Sequence, residues 1–234
     1  MNKVWKMLKD RTKNMEVIIY DPDPKTKPVT FTVNRKWTHG KLIQQDNPEL
    51  PKWLYQYIRF QIGHRVPELE IFLLLNPLAA YYYAEDVIQG RWPEAEEIIK
   101  KFVPSGTAGY TMSSIACDYA RFVIKGRWPE AEEMILKDPD TRFVYCNEVI
   151  KGRWPEAEEE TKKDKDTEFI YKYALNIIKG RWYEYEKYMT RSDYISEYIR
   201  YIVKKRCPEL EERLKENPQV WEGYKQWVIP NLGE

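Results

Sequence analysis

The side chains that most often do chemistry are few in this sequence and poorly placed for it. The 234 residues include two histidines, His39 and His64, and three cysteines, Cys117, Cys146 and Cys207. Neither histidine has a metal-ligand partner such as a second histidine or a cysteine at helical spacing, as a zinc site needs. The cysteines are odd in number and widely spaced, which fits free thiols in a reducing compartment better than a disulfide framework. No phosphate-binding loop or dinucleotide fingerprint is present. The densest carboxylates belong to a recurring Glu-Ala-Glu. They recur too regularly to be one acid–base pair, and glutamates after a proline complement a helix N-terminus. The expectation is a protein that is not an enzyme and takes no cofactor and no metal.

That recurring phrase organises the chain. Gly90-Arg91-Trp92-Pro93-Glu94-Ala95-Glu96 returns at Gly126 to Glu132 and at Gly152 to Glu158. A variant runs from Gly180 to Glu186, and degenerate copies run from His64 to Glu70 and from Lys205 to Glu211. The period is roughly 26 residues, with one longer step between Pro93 and Pro129. Each phrase reads as a corner between two helices. Gly is expected to take the left-handed conformation that ends a helix, and Pro suits the first turn of the next. A second break precedes each repeat. Asn47-Pro48, Asn76-Pro77, Asp138-Pro139 and Asn217-Pro218 read as N-caps followed by Pro, and Asp164 and Ser192 stand in where that Pro is missing.

Each unit is therefore a longer helix A, a corner, and a short helix B. Seven residues before every Gly position stands a tyrosine: Tyr57, Tyr83, Tyr119, Tyr145, Tyr173 and Tyr198. A small or apolar residue follows it, and Ile or Val stands two residues before the Gly position, so helix A carries one apolar stripe. Tyr224 and Ile229 repeat the pattern and predict a seventh helix A. Neither helix of a unit can bury its face alone, so neighbours must stack. The fold class expected is mainly α: an α-solenoid of about six helix-pair repeats of roughly 26 residues, with a small N-terminal β-hairpin.

The coarse pattern resembles tetratricopeptide and Sel1-like solenoids, with a shorter period and without their motifs. Over about residues 47–215 the phrase more closely resembles the helical repeats of uncharacterised tailed-phage and giant-virus proteins. That resemblance implies a viral protein in the cytoplasm of a host cell, and implies no activity.

Residues 1–46 differ. Glu16 to Tyr20 and Val29 to Val33 are strand-like and flank a Pro-rich connector, so a β-hairpin that caps the solenoid of residues 47–234 is expected. Residues 102–111 form an inserted loop within it. One copy looks weak: Glu160 and Thr161 stand where other helices B hold Ile, and a short or frayed helix is expected after Pro155. The balance of 38 basic against 37 acidic residues argues against a general nucleic-acid or membrane-surface binder. No apolar run reaches membrane-spanning length.

Binding remains. The corner arginines, Arg65, Arg91, Arg127, Arg153, Arg181 and Arg206, and the lysines before the Gly position, Lys125, Lys151, Lys179 and Lys204, would form a basic line at solenoid spacing. One reading is a nucleic-acid track. The simpler one is cations serving helix C-termini, with the arginines pairing glutamates of the next corner. Trp92, Trp128, Trp154 and Trp182 are expected in the core, and each stripe tyrosine is expected to bond a neighbouring repeat through its hydroxyl. Positions that vary between copies are the freer ones. Eight, five and four residues before the Gly position, these supply Tyr82, Arg121, Phe122, Arg200 and Tyr201, and the loop adds Phe102 and Tyr110. They are the candidate contacts for a protein partner. The leading expectation is a protein-binding scaffold or inhibitor. Nucleic-acid binding along the lysines and a virion or assembly component are the alternatives.

Overall fold

The computed structural model describes residues 14–19, 29–34, 50–101 and 111–233. The chain is mainly α and divides into two units after Leu50. In the first, β1 (Asn14–Ile19) pairs antiparallel with β2 (Val29–Asn34), with Val17 opposite Phe31 and Ile19 opposite Val29. Residues 20–28 and 35–49, on which the hairpin turn, the capping role and the Asn47-Pro48 break depend, lie outside the described residues. So do the loop residues 102–110.

The second unit runs in chain order through α1 (Leu50–Tyr57), α2 (Pro67–Leu73), α3 (Pro77–Tyr83), α4 (Pro93–Lys101), α5 (Met112–Asp118), α6 (Pro129–Leu136) and α7 (Pro139–Val144). It continues through α8 (Pro155–Asp164), α9 (Thr167–Tyr173), α10 (Tyr183–Glu186), α11 (Ser192–Tyr198), α12 (Pro208–Leu214) and α13 (Pro218–Gly223). Odd-numbered helices are the helices A and even-numbered ones the helices B. From α3 onward each helix A packs on the next, as a stacked repeat requires. The expected seventh helix A is α13.

Every described helix A ends in a π segment: Ile58–Ile62, Ala84–Ile88, Tyr119–Ile124, Tyr145–Ile150, Ala174–Ile178, Ile199–Val203 and Tyr224–Val228. The wider turn bonds residues five apart and so brings them onto one face. It also moves the helix end. The left-handed residue is not the phrase glycine but the residue before it: Gln89, Lys125, Lys151, Lys179 and Lys204, each with φ of 56–59°. In the first corner that same place holds Gly63, at φ 75°. The expectation for Gly90, Gly126, Gly152 and Gly180 is thus corrected by one position. A Cβ on any of them would meet nothing within 4 Å.

Caps follow the expected chemistry with two exceptions. The side chains of Asn76, Asp138 and Asn217 accept first-turn N–H groups. For α9 the cap is Asp166 rather than Asp164, and Ser192 lies inside α11, whose cap position, Arg191, accepts no helix N–H with its side chain and pairs with Asp193 instead. The helix after Pro155 is not short. At ten residues α8 is the longest of the described helices B. Thr161 is fully buried and donates its hydroxyl to the Ala157 carbonyl at 2.8 Å. At the end of the same helix Asp164 accepts from the buried Arg142 at 2.7 Å; Arg142 also donates to the Leu136 carbonyl at 3.0 Å, with its guanidinium 4.6 Å from the Phe169 ring centre. The polar residues of this copy face a buried cation, and a buried charge needs such partners.

Candidate interaction surface

The phrase residues are consumed by one clasp repeated along the stack. In each corner the Arg Nε and Nη2 donate to the two carboxylate oxygens of the Glu five residues on, at 2.6–3.0 Å. The contact partner is therefore the Glu of the same corner. The Arg lies in the extended stretch before helix B and the Glu in its first turn, so the bidentate fork closes over the helix start. The first glutamate of the next corner acts from further away: Glu94 faces Arg65, Glu130 faces Arg91 and Glu156 faces Arg127.

The tyrosine of the following helix A enters this clasp. The hydroxyls of Tyr83, Tyr119, Tyr145, Tyr173 and Tyr198 accept the backbone N–H of the residue before the corner Pro, or before Tyr183 in its place, at 2.7–2.9 Å. These five and Tyr224 also donate to the clasp glutamate, at 2.8–3.2 Å. In the last corner the N–H of Cys207 goes to Glu211 instead, at 3.1 Å. Burial pushes all six phenols upward, Tyr83 to about 12. The bonds from Arg91, Arg127 and Arg206 hold the carboxyls of Glu96, Glu132 and Glu211 below their ordinary value.

The tryptophans fill the space beneath. Trp128 is 1% exposed and its ring lies 5.1 Å from that of Tyr119. Trp92, Trp154 and Trp182 repeat the contact with Tyr83, Tyr145 and Tyr173. Where the large ring is missing, at Val66 and Cys207, the buried alanine of the phrase becomes Leu69 or Leu210, a volume-conserving exchange. Cys117, Cys146 and Cys207 are free and buried, and burial pushes the thiols of Cys117 and Cys146 up to about 12. His64 is exposed, with Nδ1 3.1 Å from the Arg65 carbonyl, and His39 lies outside the described residues. Among the described residues no three His, Cys, Asp or Glu side chains converge as metal ligands would, and no helix is long and apolar enough to cross a membrane.

Of the large apolar side chains left exposed, Trp53, Ile71 and Tyr183 lie on α-helices, and Phe60, Phe122, Leu175, Tyr201 and Trp227 lie on the π segments, the first six of which pack one against the next. Four residues before the Gly position, Phe60 is 69%, Phe122 39% and Tyr201 43% exposed. The preceding arginines lie over these rings: Arg59 at 5.1 Å, Arg121 at 4.6 Å and Arg200 at 4.9 Å. Two of the three also reach the next repeat, Arg59 to Asp86 at 2.6 Å and Arg121 to Glu148 at 3.2 Å. Those acids stand at the aromatic position of the following copy. Leu175 and Trp227 extend the ridge, Trp227 at 65% exposure.

The candidate residues are thus partly brought together. Arg121, Phe122, Arg200 and Tyr201 share the ridge. Tyr82 is half-buried and stacks on Tyr55 of the preceding helix A at 5.5 Å. Phe102 and Tyr110 lie outside the described residues. Lys125, Lys151, Lys179 and Lys204 are exposed at the ends of the π segments, and among the described residues none makes an ion pair. Trp227 lies four residues before the place where a seventh Gly would stand, but the phrase is absent there, so the alignment of copies does not reach it. No protein-family model matches the chain, and no curated protein or solved structure matches it.

Proposed function

We propose that the protein is a non-catalytic, protein-binding scaffold that meets its partner along the ridge of π segments. One observation carries this reading: exposed Arg-on-aromatic pairs, Arg59–Phe60, Arg121–Phe122 and Arg200–Tyr201, recur at one register of a frame whose phrase residues are otherwise spent on the stack. Arginine and aromatic rings are the side chains that dominate protein interfaces. The resemblance of the phrase to viral repeats makes a host protein, or a viral assembly partner, the first occupant to seek. The test is capture from infected host cells by the full chain and by a Phe60→Ala, Phe122→Ala, Tyr201→Ala variant of unchanged helicity. Loss of the captured protein with the variant is expected, and undiminished capture refutes the ridge.

The nucleic-acid reading has the four exposed lysines in its favour. Exposed glutamates accompany them, however. Glu130, Glu156, Glu184 and Glu209 follow the corners in a second row, and Lys, Arg and two Glu per corner sum to no charge. A phosphate chain would meet repulsion beside every attraction. A single-stranded oligonucleotide retarded at low salt, with steep loss of binding as salt rises, would restore that reading.

A further inference from the structure

The ridge has an internal rule that fails once. The exposed Arg of one repeat pairs with an acid at the aromatic position of the next: Arg59 with Asp86, Arg121 with Glu148. Arg200 is the third arginine of this register. The residue that should answer it is Trp227, an exposed ring instead of a carboxylate. Arg200 is itself exposed, and among the described residues it makes no ion pair, although Glu197 precedes it by one turn. Its guanidinium rests on the Tyr201 ring.

Apolar surface adjoins this unanswered charge. The π segments Ala174–Ile178 and Ile199–Val203 pack directly, so exposed Leu175 lies on the segment next to the one that carries Arg200 and Tyr201. Lys204 and Lys205 follow at the segment's end, both exposed and outside any ion pair among the described residues. Leu175 on the preceding π segment, Tyr201 under the guanidinium, and Trp227 at the same register of the following helix A, which packs on α11, thus offer apolar contact area along this end of the ridge. We infer that this end of the ridge docks a protein segment in which an Asp or Glu is flanked by bulky apolar side chains. The carboxylate takes at Arg200 the place that Asp86 and Glu148 take at Arg59 and Arg121. The apolar side chains cover Tyr201, Leu175 and Trp227. A peptide fits better than a nucleic acid, because Leu175 is no stacking platform and Glu197 and Glu209 would repel a run of phosphates. This assignment rests on the scaffold reading and narrows it to one partner chemistry.

The experiment is selection from a random twelve-residue peptide display library on the full chain, followed by titration of an enriched synthetic peptide. Enriched sequences should set Asp or Glu within about three residues of Leu, Phe or Trp, one helical or extended repeat away. Arg200→Glu and Trp227→Ala should each weaken that peptide at least about tenfold, by loss of a desolvated charge pair or of a ring anchor. Lys in place of the peptide's acid should restore binding to Arg200→Glu. Both substitutions are at exposed positions, and unchanged helicity shows that the fold survives. Peptides whose binding survives Arg200→Glu but falls with Phe122→Ala overturn this assignment and leave the scaffold reading standing. Enrichment of basic sequences, or Arg200-dependent binding of oligothymidylate as tight as that of the peptide, overturns it as well. No enrichment at all overturns both readings.

Discussion

Removing one oxygen atom tests whether the tyrosine clasp holds the stack together. In Tyr145→Phe the ring stays and its hydroxyl goes. Two bonds are lost: the Trp128 N–H loses its acceptor at 2.7 Å, and Glu132 loses a donor at 2.9 Å. A buried N–H left without an acceptor costs about 1–3 kcal/mol, and a bond to an ionised carboxylate contributes about 1.5–3 kcal/mol. Overlap between the two, and relaxation of Glu132 towards Arg127, bring the expected loss to about 3 kcal/mol. Tyr224→Phe is the internal control. There the Cys207 N–H is already bonded to Glu211, so only the bond to the carboxylate disappears. Its expected loss is about 1.5 kcal/mol. Urea unfolding followed by helicity and tryptophan fluorescence measures both. Hydrogen exchange at the Trp128 amide adds a local readout, which should accelerate in Tyr145→Phe alone. Equal losses for the two variants, or an unchanged Trp128 amide, would refute the account of the clasp.

Four further outcomes rest on the same geometry. Lys125→Gly should stabilise the chain by about 1 kcal/mol, because a left-handed backbone is strained for lysine and free for glycine, whereas Gly126→Ala should stay within about 0.5 kcal/mol; thermal unfolding of the pair decides whether the strained position is assigned correctly. Asp164→Ala strands the buried Arg142 guanidinium and should cost about 3 kcal/mol, while a combined Arg142→Leu, Asp164→Ala chain should recover most of it. The clasp phenols have folded values above their ordinary 10, so the unfolded chain ionises first. Stability is then complete below pH 10 and falls as pH rises past it, and tyrosinate absorbance should grow in step with loss of helix. On the acid side the depressed Glu96, Glu132 and Glu211 contribute stability above about pH 4.5 that disappears as they are protonated.

The stack itself is legible in the sequence because identical residues recur wherever identical contacts recur. Trp128 and Tyr145 are buried as their recurrence implies, the Trp128 ring packing on Tyr119 of its own helix A and the Tyr145 hydroxyl serving the neighbouring copy. The helix ends are less legible. A reading based on a 3.6-residue period cannot see a π segment, and the extra width moves the left-handed site from Gly126 to Lys125. The partner of Arg127 is hidden for a related reason. Five residues is not a helical spacing, yet Arg127 lies outside the helix that holds Glu132, so the fork closes from beyond its end. The helix after Pro155 reads as weak because Thr161 stands where other copies hold an apolar residue. What holds its end is Asp164 accepting from the buried Arg142, 22 residues earlier and too far for any local pattern to connect them. The ridge is readable only in part. Phe122 and Arg121 stand out as variable positions, but Trp227 belongs to a copy with no phrase to align it.

Each of the six clasp tyrosines reaches back into the corner of the preceding unit, so every described junction has the same polarity and joins unlike surfaces. A unit thus presents a plug at one end and a socket at the other. Duplicating the stretch from one corner to the next, such as residues 128–153, would leave every plug with a socket and every socket filled. The chain can therefore lengthen or shorten in whole units without a new interface having to arise. Each added unit carries its own copy of the variable ridge positions. Inheritance by duplication then supplies fresh binding surface while the residues that hold the array stay untouched.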